Sequence, residues 1–363
     1  MEASEVSASA PASRSAAGRR TVRTIGQVWP WLFLLTLLVF FSLTGKGFLS
    51  AFNLQSILAN MSLVLILALG QTFVIVSGGI DLSTGWVMGM ASVVGAIVMS
   101  DLAQTLPVPL AIVIGMAVGI VSGLIAGLIN GLLIARLKVP PFIATLGMFS
   151  IARGIGFVLS GGLPRPIFVE NLGQIGNGYL LYFHPLTGLS FLNQPEGLTA
   201  LQMRQVLGIL PHPVTLSLIL VIACHWVLSR TRFGLYTYSI GGNAEASLRA
   251  GIPVQRHLVK IYMLSAAMAA VAGLLYNVRF TNGAANAGEA LLITSVAAVV
   301  IGGASMFGGE GTIIGTVIGA LIIAVITNGF VILGINAFWQ FVAIGVVIIL
   351  AVLIDQAKLR LFD

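Results

Sequence analysis

The chain reads as an all-α polytopic membrane protein of about ten transmembrane helices with an internal duplication. Three observations point there. Only 8% of its 363 residues are charged and 58% are hydrophobic, where soluble domains carry about 25% charged residues. Apolar runs of spanning length recur along the chain, and Lys and Arg are divided unevenly between the segments that join them. A water-soluble fold of this size needs far more surface charge. A soluble enzyme, a nucleic-acid binder and a secreted disulfide scaffold are therefore excluded. The single cysteine, Cys224, lies in the apolar run Ile222–His225 and reads as a small core residue.

Residues 1–28 are Ala/Ser-rich, carry Arg14, Arg19, Arg20 and Arg23, and predict a disordered cytoplasmic tail. The apolar run Trp29–Leu43 is not closed by a small-residue cleavage site, so it reads as an uncleaved first span. Spans of about 20 residues, enough to cross about 30 Å, are predicted near 29–49, 57–77, 84–100, 108–135, 140–160, 214–230, 259–278, 290–306, 312–334 and 336–354. The third and eighth are short and glycine-flanked. The transmembrane domain is thus 29–356, followed by a cytoplasmic C-terminus at 357–363.

With the N-terminus inside, the inner segments hold 13 basic residues: Arg14, Arg19, Arg20, Arg23, Arg136, Lys138, Arg230, Arg232, Arg249, Arg256, Lys260, Lys358 and Arg360. The outer side holds four, Lys46, Arg165, Arg204 and Arg279, and Arg153 falls within a span. This asymmetry obeys the positive-inside rule and places both termini in the cytoplasm. Segment 161–213, with six prolines, is expected to form a structured outer loop or cap.

An internal repeat is visible at an offset of 224, with Val76-Ser-Gly-Gly79 over Val300-Ile-Gly-Gly303. Repeats are common in transporters, where substrate is handled at their interface. Gly115, Gly119, Gly123, Gly127 and Gly131 line one helical face, the pattern that lets membrane helices approach closely. Gly311, Gly315 and Gly319 repeat it.

No catalytic constellation, metal-ligand cluster or phosphate-binding loop appears, so any pumping must draw energy from elsewhere. Asp81 and Glu310 each follow a Gly-Gly pair. Asp81 reads either as a helix cap or Asx turn at the cytoplasmic edge, or as a gate, pathway or ion-coupling acid. Arg153 is the one base well inside a span, and either snorkels or lines a pathway. Asn60, Gln71 and Gln340, with Phe149, are the amides and aromatic suited to a sugar pathway, though such amides also bind helices together.

The inner loop is the most informative segment. Asn243 is a good N-cap, Ala244, Glu245 and Ala246 open a first turn, Arg249 closes it and Gly251 suits the C′ position. Within 241–252 this predicts a short isolated helix, about 244–250, offered to a partner's groove.

Several segments together resemble the permease subunits of bacterial ATP-binding-cassette (ABC) importers for simple sugars, of the ribose, xylose and galactose kind, within the branched-chain amino acid permease superfamily. They are Gly70-Gln-Thr-Phe-Val-Ile-Val-Ser-Gly-Gly-Ile-Asp-Leu-Ser83, Lys138-Val-Pro-Pro-Phe-Ile-Ala-Thr-Leu-Gly147, Ser150-Ile-Ala-Arg-Gly154, Gly234-Leu-Tyr-Thr-Tyr-Ser-Ile-Gly-Gly-Asn243 and Phe338-Trp-Gln340. The resemblance runs from about residue 28 to 360. It implies a multi-pass protein of the bacterial inner membrane, paired with a second copy or a related permease around one pathway. It also implies a cytoplasmic tandem ABC ATPase that binds the ATP, with no cofactor in this chain, and a periplasmic sugar-binding protein. The helix at Asn243–Gly251 would be the coupling helix, and transport would run by alternating access. Importers of another small solute (an autoinducer-type furanone, a nucleoside or a branched-chain amino acid) remain the alternative, as does an ion-coupled secondary transporter.

Overall fold

In a computed structural model, residues 16–362 are described apart from Glu196, Arg204 and Ala337, with the side chains of 16–27, 200 and 354–362 also left aside. Arg14 and the rest of 1–15 therefore lie outside the described residues. From Ala16 onward, however, the expected tail is helical. The helix set up by the apolar run propagates backward through Ala- and Arg-containing sequence, since extension is far easier than nucleation.

The helices are α1 (Ala16–Thr44), α2 (Ala51–Val76), α3 (Thr84–Leu102), α4 (Val108–Ala135), α5 (Pro141–Ser160), α6 (Leu172–Asn177), α7 (Ala200–Met203), α8 (His212–Arg230), α9 (Arg232–Gly242), α10 (Ala244–Arg249), α11 (Val254–Phe280), α12 (Glu289–Ile301), α13 (Ile313–Ile332) and α14 (Trp339–Phe362). Among the described residues seven are long and apolar enough to span: α2, α3, α4, α5, α8, α11 and α13. Three shorter apolar stretches, Val28–Thr44, α12 and Trp339–Leu353, correspond to the other expected spans.

Helix α2 is the axis of the bundle. Every residue from Met61 to Val76 is buried, which is why its sequence is apolar all round rather than on one stripe. Helix α11 packs along the α4 glycine seam. A Cβ on Gly123 would sit 2.7 Å from Ala270 Cβ and 2.8 Å from the Ala266 carbonyl, and one on Gly131 would sit 2.7 Å from Val259 Cα. In lipid such close approach supplies the dispersion contacts that hold helices together. Gly123→Leu is expected to cost about 1–3 kcal/mol through overpacking, seen as a lower Tm of the detergent-solubilised protein. An unchanged Tm would show that the seam tolerates separation.

The outer segment departs from an all-helical picture. Strands β2 (Tyr179–His184), β3 (Gly188–Phe191) and β4 (Leu207–Pro211) form an antiparallel sheet in the order β3-β2-β4. Strand β1 (Arg165–Pro166) pairs with β5 (Asn282–Gly283). The prolines bound short strands and leave no room for a long helix.

Two non-helical segments enter the bundle. After α2 the chain turns at Gly78 and runs back, so that the Asp81 carbonyl receives the Gln71 side-chain amide. After β5, residues 284–288 pack against α3: Ala284 N–H donates to Ser92 Oγ at 3.2 Å, and Gly288 lies against Gly85. Irregular backbone at this depth persists only where protein satisfies it. This explains the brevity of α12. Its 13 residues rise only about 20 Å, and the turn at 284–288 that leads into it covers the rest.

The repeat is parallel, because α2 and α12 pack together and end side by side: a Cβ on Gly311 would stand 2.8 Å from both Val76 Cγ2 and Ala304 Cβ. Its register at this turn is 225 rather than 224. Gly78 and Gly79 N–H groups bond the Ile75 and Val74 carbonyls, and Gly303 and Ala304 bond Val300 and Val299 in the same way. Both turns are Schellman caps, with φ of +80° at Gly78 and +91° at Gly303.

Candidate functional site

Asp81 is fully buried and its carboxylate is held by hydroxyls and one amide. Oδ1 accepts from the Ser83 N–H at 3.0 Å and the Ser83 hydroxyl at 2.6 Å, and Oδ2 accepts from the Ser265 hydroxyl at 2.9 Å. Gln71 donates to Thr84 Oγ1 at 3.0 Å, and Asn130 donates to Ser83 Oγ at 3.0 Å. The node therefore joins α2, α3, α4 and α11. It is an Asx turn, but one set well inside the bundle rather than at its edge. Gln71 stands five residues before the end of α2, about 8 Å, and Ser265 eleven residues into α11, about 16 Å. A carboxyl group at that depth is tolerated because three hydrogen bonds reach it. Ser265 and the neighbouring Tyr262 carried no sequence signal, since an apolar helix conceals a single hydroxyl.

A second cluster lies on α5. Arg153 is exposed, with its guanidinium 4.9 Å from the Trp86 ring centre and 5.9 Å from that of Phe157. Phe149 meets Trp86 edge-on at 5.6 Å. Cation–π attraction holds the base over a buried aromatic. On the same helix Gly147 and Gly154 face open space. An arginine on a span's open face is costly against hydrocarbon, so this face suits a polar pathway or a second subunit.

Asn60 and Gln340 join neither cluster. Asn60 accepts from Arg279 at 3.2 Å, tying α2 to the end of α11, and Gln340 is half-buried in the first turn of α14. The six candidate pathway residues thus separate into two pairs and two isolated positions.

The third feature is α10. The Asn243 side chain accepts from Ala246 N–H at 2.8 Å, and Gly251 (φ +82°) and Ile252 close a Schellman cap on the Leu248 and Ser247 carbonyls. Glu245 and Arg249 pair at 2.6 Å with about three quarters of each side chain exposed. Ala244, Ala246 and Leu248 are also exposed; within the helix only Ser247 is buried. Contrary to expectation the helix is not isolated. Helix α9 runs directly into it and is pinned on three sides. The Thr237 hydroxyl meets His257 Nε2 at 2.9 Å, Phe233 packs edge-on against Phe73 at 5.8 Å, and the Tyr238 hydroxyl donates to the Gly311 carbonyl at 2.6 Å. Burial pushes the Tyr238 hydroxyl above the usual phenol range, keeping it a donor.

At the α9–α10 corner Gly241 lies against the Val76 carbonyl and the Gly309 N–H. The turn after α2, the loop that follows the second repeat turn and the foot of the projecting helix therefore meet at one contact among glycines.

A bundle of apolar helices with a projecting capped helix defines a polytopic membrane transport component rather than an enzyme. The chain belongs to the family described as branched-chain amino acid transport system / permease component, whose model matches residues 53–352. It is 38% identical to the ribose import permease protein of Bacillus subtilis, covering 91% of this chain and 92% of that one. Identity is 36% to the fructose import permease protein of Rhizobium meliloti, over 90% of this chain and 83% of the relative. It is 33% to the xylose transport system permease protein of Escherichia coli, over 98% of each. No solved structure gives a significant match.

Proposed function

We propose that this chain is the membrane-spanning subunit of an ATP-driven importer that carries a monosaccharide of the ribose, xylose or galactose kind into the cytoplasm. The observation that carries the reading is α10, doubly capped, outward-facing and fixed to the bundle through α9. A rigid helix of this kind can pass a partner's movement to the turn after α2 and the loop that follows the second repeat turn. The curated relatives transport ribose, fructose and xylose, which favours a sugar over an amino acid, nucleoside or furanone.

In this reading a cytoplasmic tandem ABC ATPase docks on Asn243–Gly251 and a periplasmic sugar-binding protein docks on the opposite end. Both termini are cytoplasmic in the inner membrane. A second copy, or a related permease, faces the Arg153 side of α5, and lipid covers the outward sides of α4 and α8. ATP binding closes the ATPase, α10 and α9 move with it, and the pathway opens outward; hydrolysis resets it.

Charge reversal at Glu245 or Arg249 tests this. Both side chains are exposed and, among the described residues, paired only with each other, so folding should be unaffected. Loss of an interface anchor should lower uptake about tenfold or more while basal ATP hydrolysis persists. Normal uptake by both variants would refute docking at α10. Uptake that survives ATP depletion would favour an ion-coupled transporter.

A further inference from the structure

The outer segment holds a cavity of about 470 Å³ between α6 and the β2–β4 sheet, within the roughly 300–1,000 Å³ of small-molecule sites. Its walls carry five side-chain amides: Asn177, whose NH2 is committed to the Gly173 and Arg279 carbonyls, and four others, Asn171, Gln174, Asn193 and Gln194, together with Tyr182 and His212. The four amides are exposed and form no side-chain hydrogen bonds among the described residues. Each therefore offers both a donor and an acceptor. His212 turns Nδ1 to the Ile175 carbonyl at 2.8 Å. Nδ1 therefore carries a proton; in the neutral ring Nε2 is an acceptor, and among the described residues it is buried without a partner. Tyr182 is 5% exposed and its hydroxyl oxygen receives the Tyr179 N–H at 3.1 Å. Its own proton remains free to donate.

The wall is also held in shape. Leu192 has φ +62°, a strained conformation for leucine. Its N–H is tied to the Leu180 carbonyl of β2 at 3.0 Å, and this turn presents Asn193 and Gln194. Below, α6 is seated on the end of α11, where Asn177 donates to the Arg279 carbonyl at 2.8 Å. The cavity thus stands over the helix whose interior reaches the Asp81 node.

Among the described residues no Lys, Arg, Asp or Glu lines it. A neutral molecule rich in hydroxyls, each both donor and acceptor, matches the amides, the imidazole nitrogen and the phenol. We infer that this cavity is a receiving site for a monosaccharide, its first contact with the permease before it enters the bundle. The inference rests on the import reading above.

Uptake of labelled ribose, xylose, fructose, galactose and leucine, in cells expressing the chain with its partner subunits, first shows what it carries. Saturation-transfer NMR then probes the transported sugar against full-length permease in lipid nanodiscs. The sugar should bind weakly, and the double variant Gln174→Ala, Asn193→Ala should weaken binding about tenfold, the scale of two lost hydrogen bonds. The single exposed change Gln194→Ala gives an independent reading if the double variant elutes abnormally. Equal binding by wild type and folded variants, or no signal from wild type at sugar levels that saturate uptake, would overturn the cavity and leave sugar import standing. Uptake of leucine but of no sugar would overturn both.

Discussion

Gly241→Val is expected to abolish uptake while the bundle still assembles. A Cβ at this position would overlap the Val76 carbonyl and the Gly309 N–H, both backbone atoms that cannot rotate away. The repeat turns are themselves held by Schellman caps and by the Gly309–Val76 bond, so α9 must yield and α10 is displaced with it. Overpacking of about 1–3 kcal/mol corresponds to roughly five- to 150-fold in the population of the coupled geometry. Basal ATP hydrolysis by the partner should continue, no longer linked to uptake. The adjacent residue is the control. Nothing lies within 4 Å of a Cβ on Gly242, so Gly242→Ala should transport normally and gain up to about 1 kcal/mol of stability. Wild-type uptake by Gly241→Val would mean that α9 moves freely of the repeat turns.

Asp81→Ala should cost about 3–5 kcal/mol, a large share of a typical 5–15 kcal/mol stability. The substitution leaves the Ser83 N–H and the Ser83 and Ser265 hydroxyls without acceptors in the interior, and each buried donor left unsatisfied costs about 1–3 kcal/mol. Thermal unfolding in detergent measures it. Ser265→Ala, which removes one bond, should cost about 1–2 kcal/mol. Asp81→Asn keeps the volume and one acceptor oxygen, so it should retain partial stability and measurable uptake. Complete loss of uptake by a folded Asp81→Asn protein would instead identify Asp81 as a titrating, ion-coupling group.

Much of the architecture was legible before any coordinates. Lipid imposes strong rules: unbroken apolar runs, satisfied backbone, basic residues on one side. Helix α10 was equally legible, because Asn243, Glu245, Arg249 and Gly251 act within one turn of where they stand. Helix α9 was not, since its reason for being helical lies in what it touches: Phe73, His257 and Gly311. The Asp81 node was half visible. Gln71 and Asp81 stood out as polar residues among apolar ones, but Ser265 comes from 184 residues away and has no local signature.

The chain's scarce charges and its periodicities thus determined by themselves that it crosses a membrane many times and which short helix projects. These are local or one-dimensional properties, set by transfer from water to lipid and by the chemistry of helix ends. Only the tertiary structure decided that the repeat is parallel and in register at 225, and that Asp81 is a buried joint of four helices. It alone brought Gly78, Gly241 and Gly309 to one contact. Those features depend on which distant surfaces meet, and glycine records only that something comes close, never what.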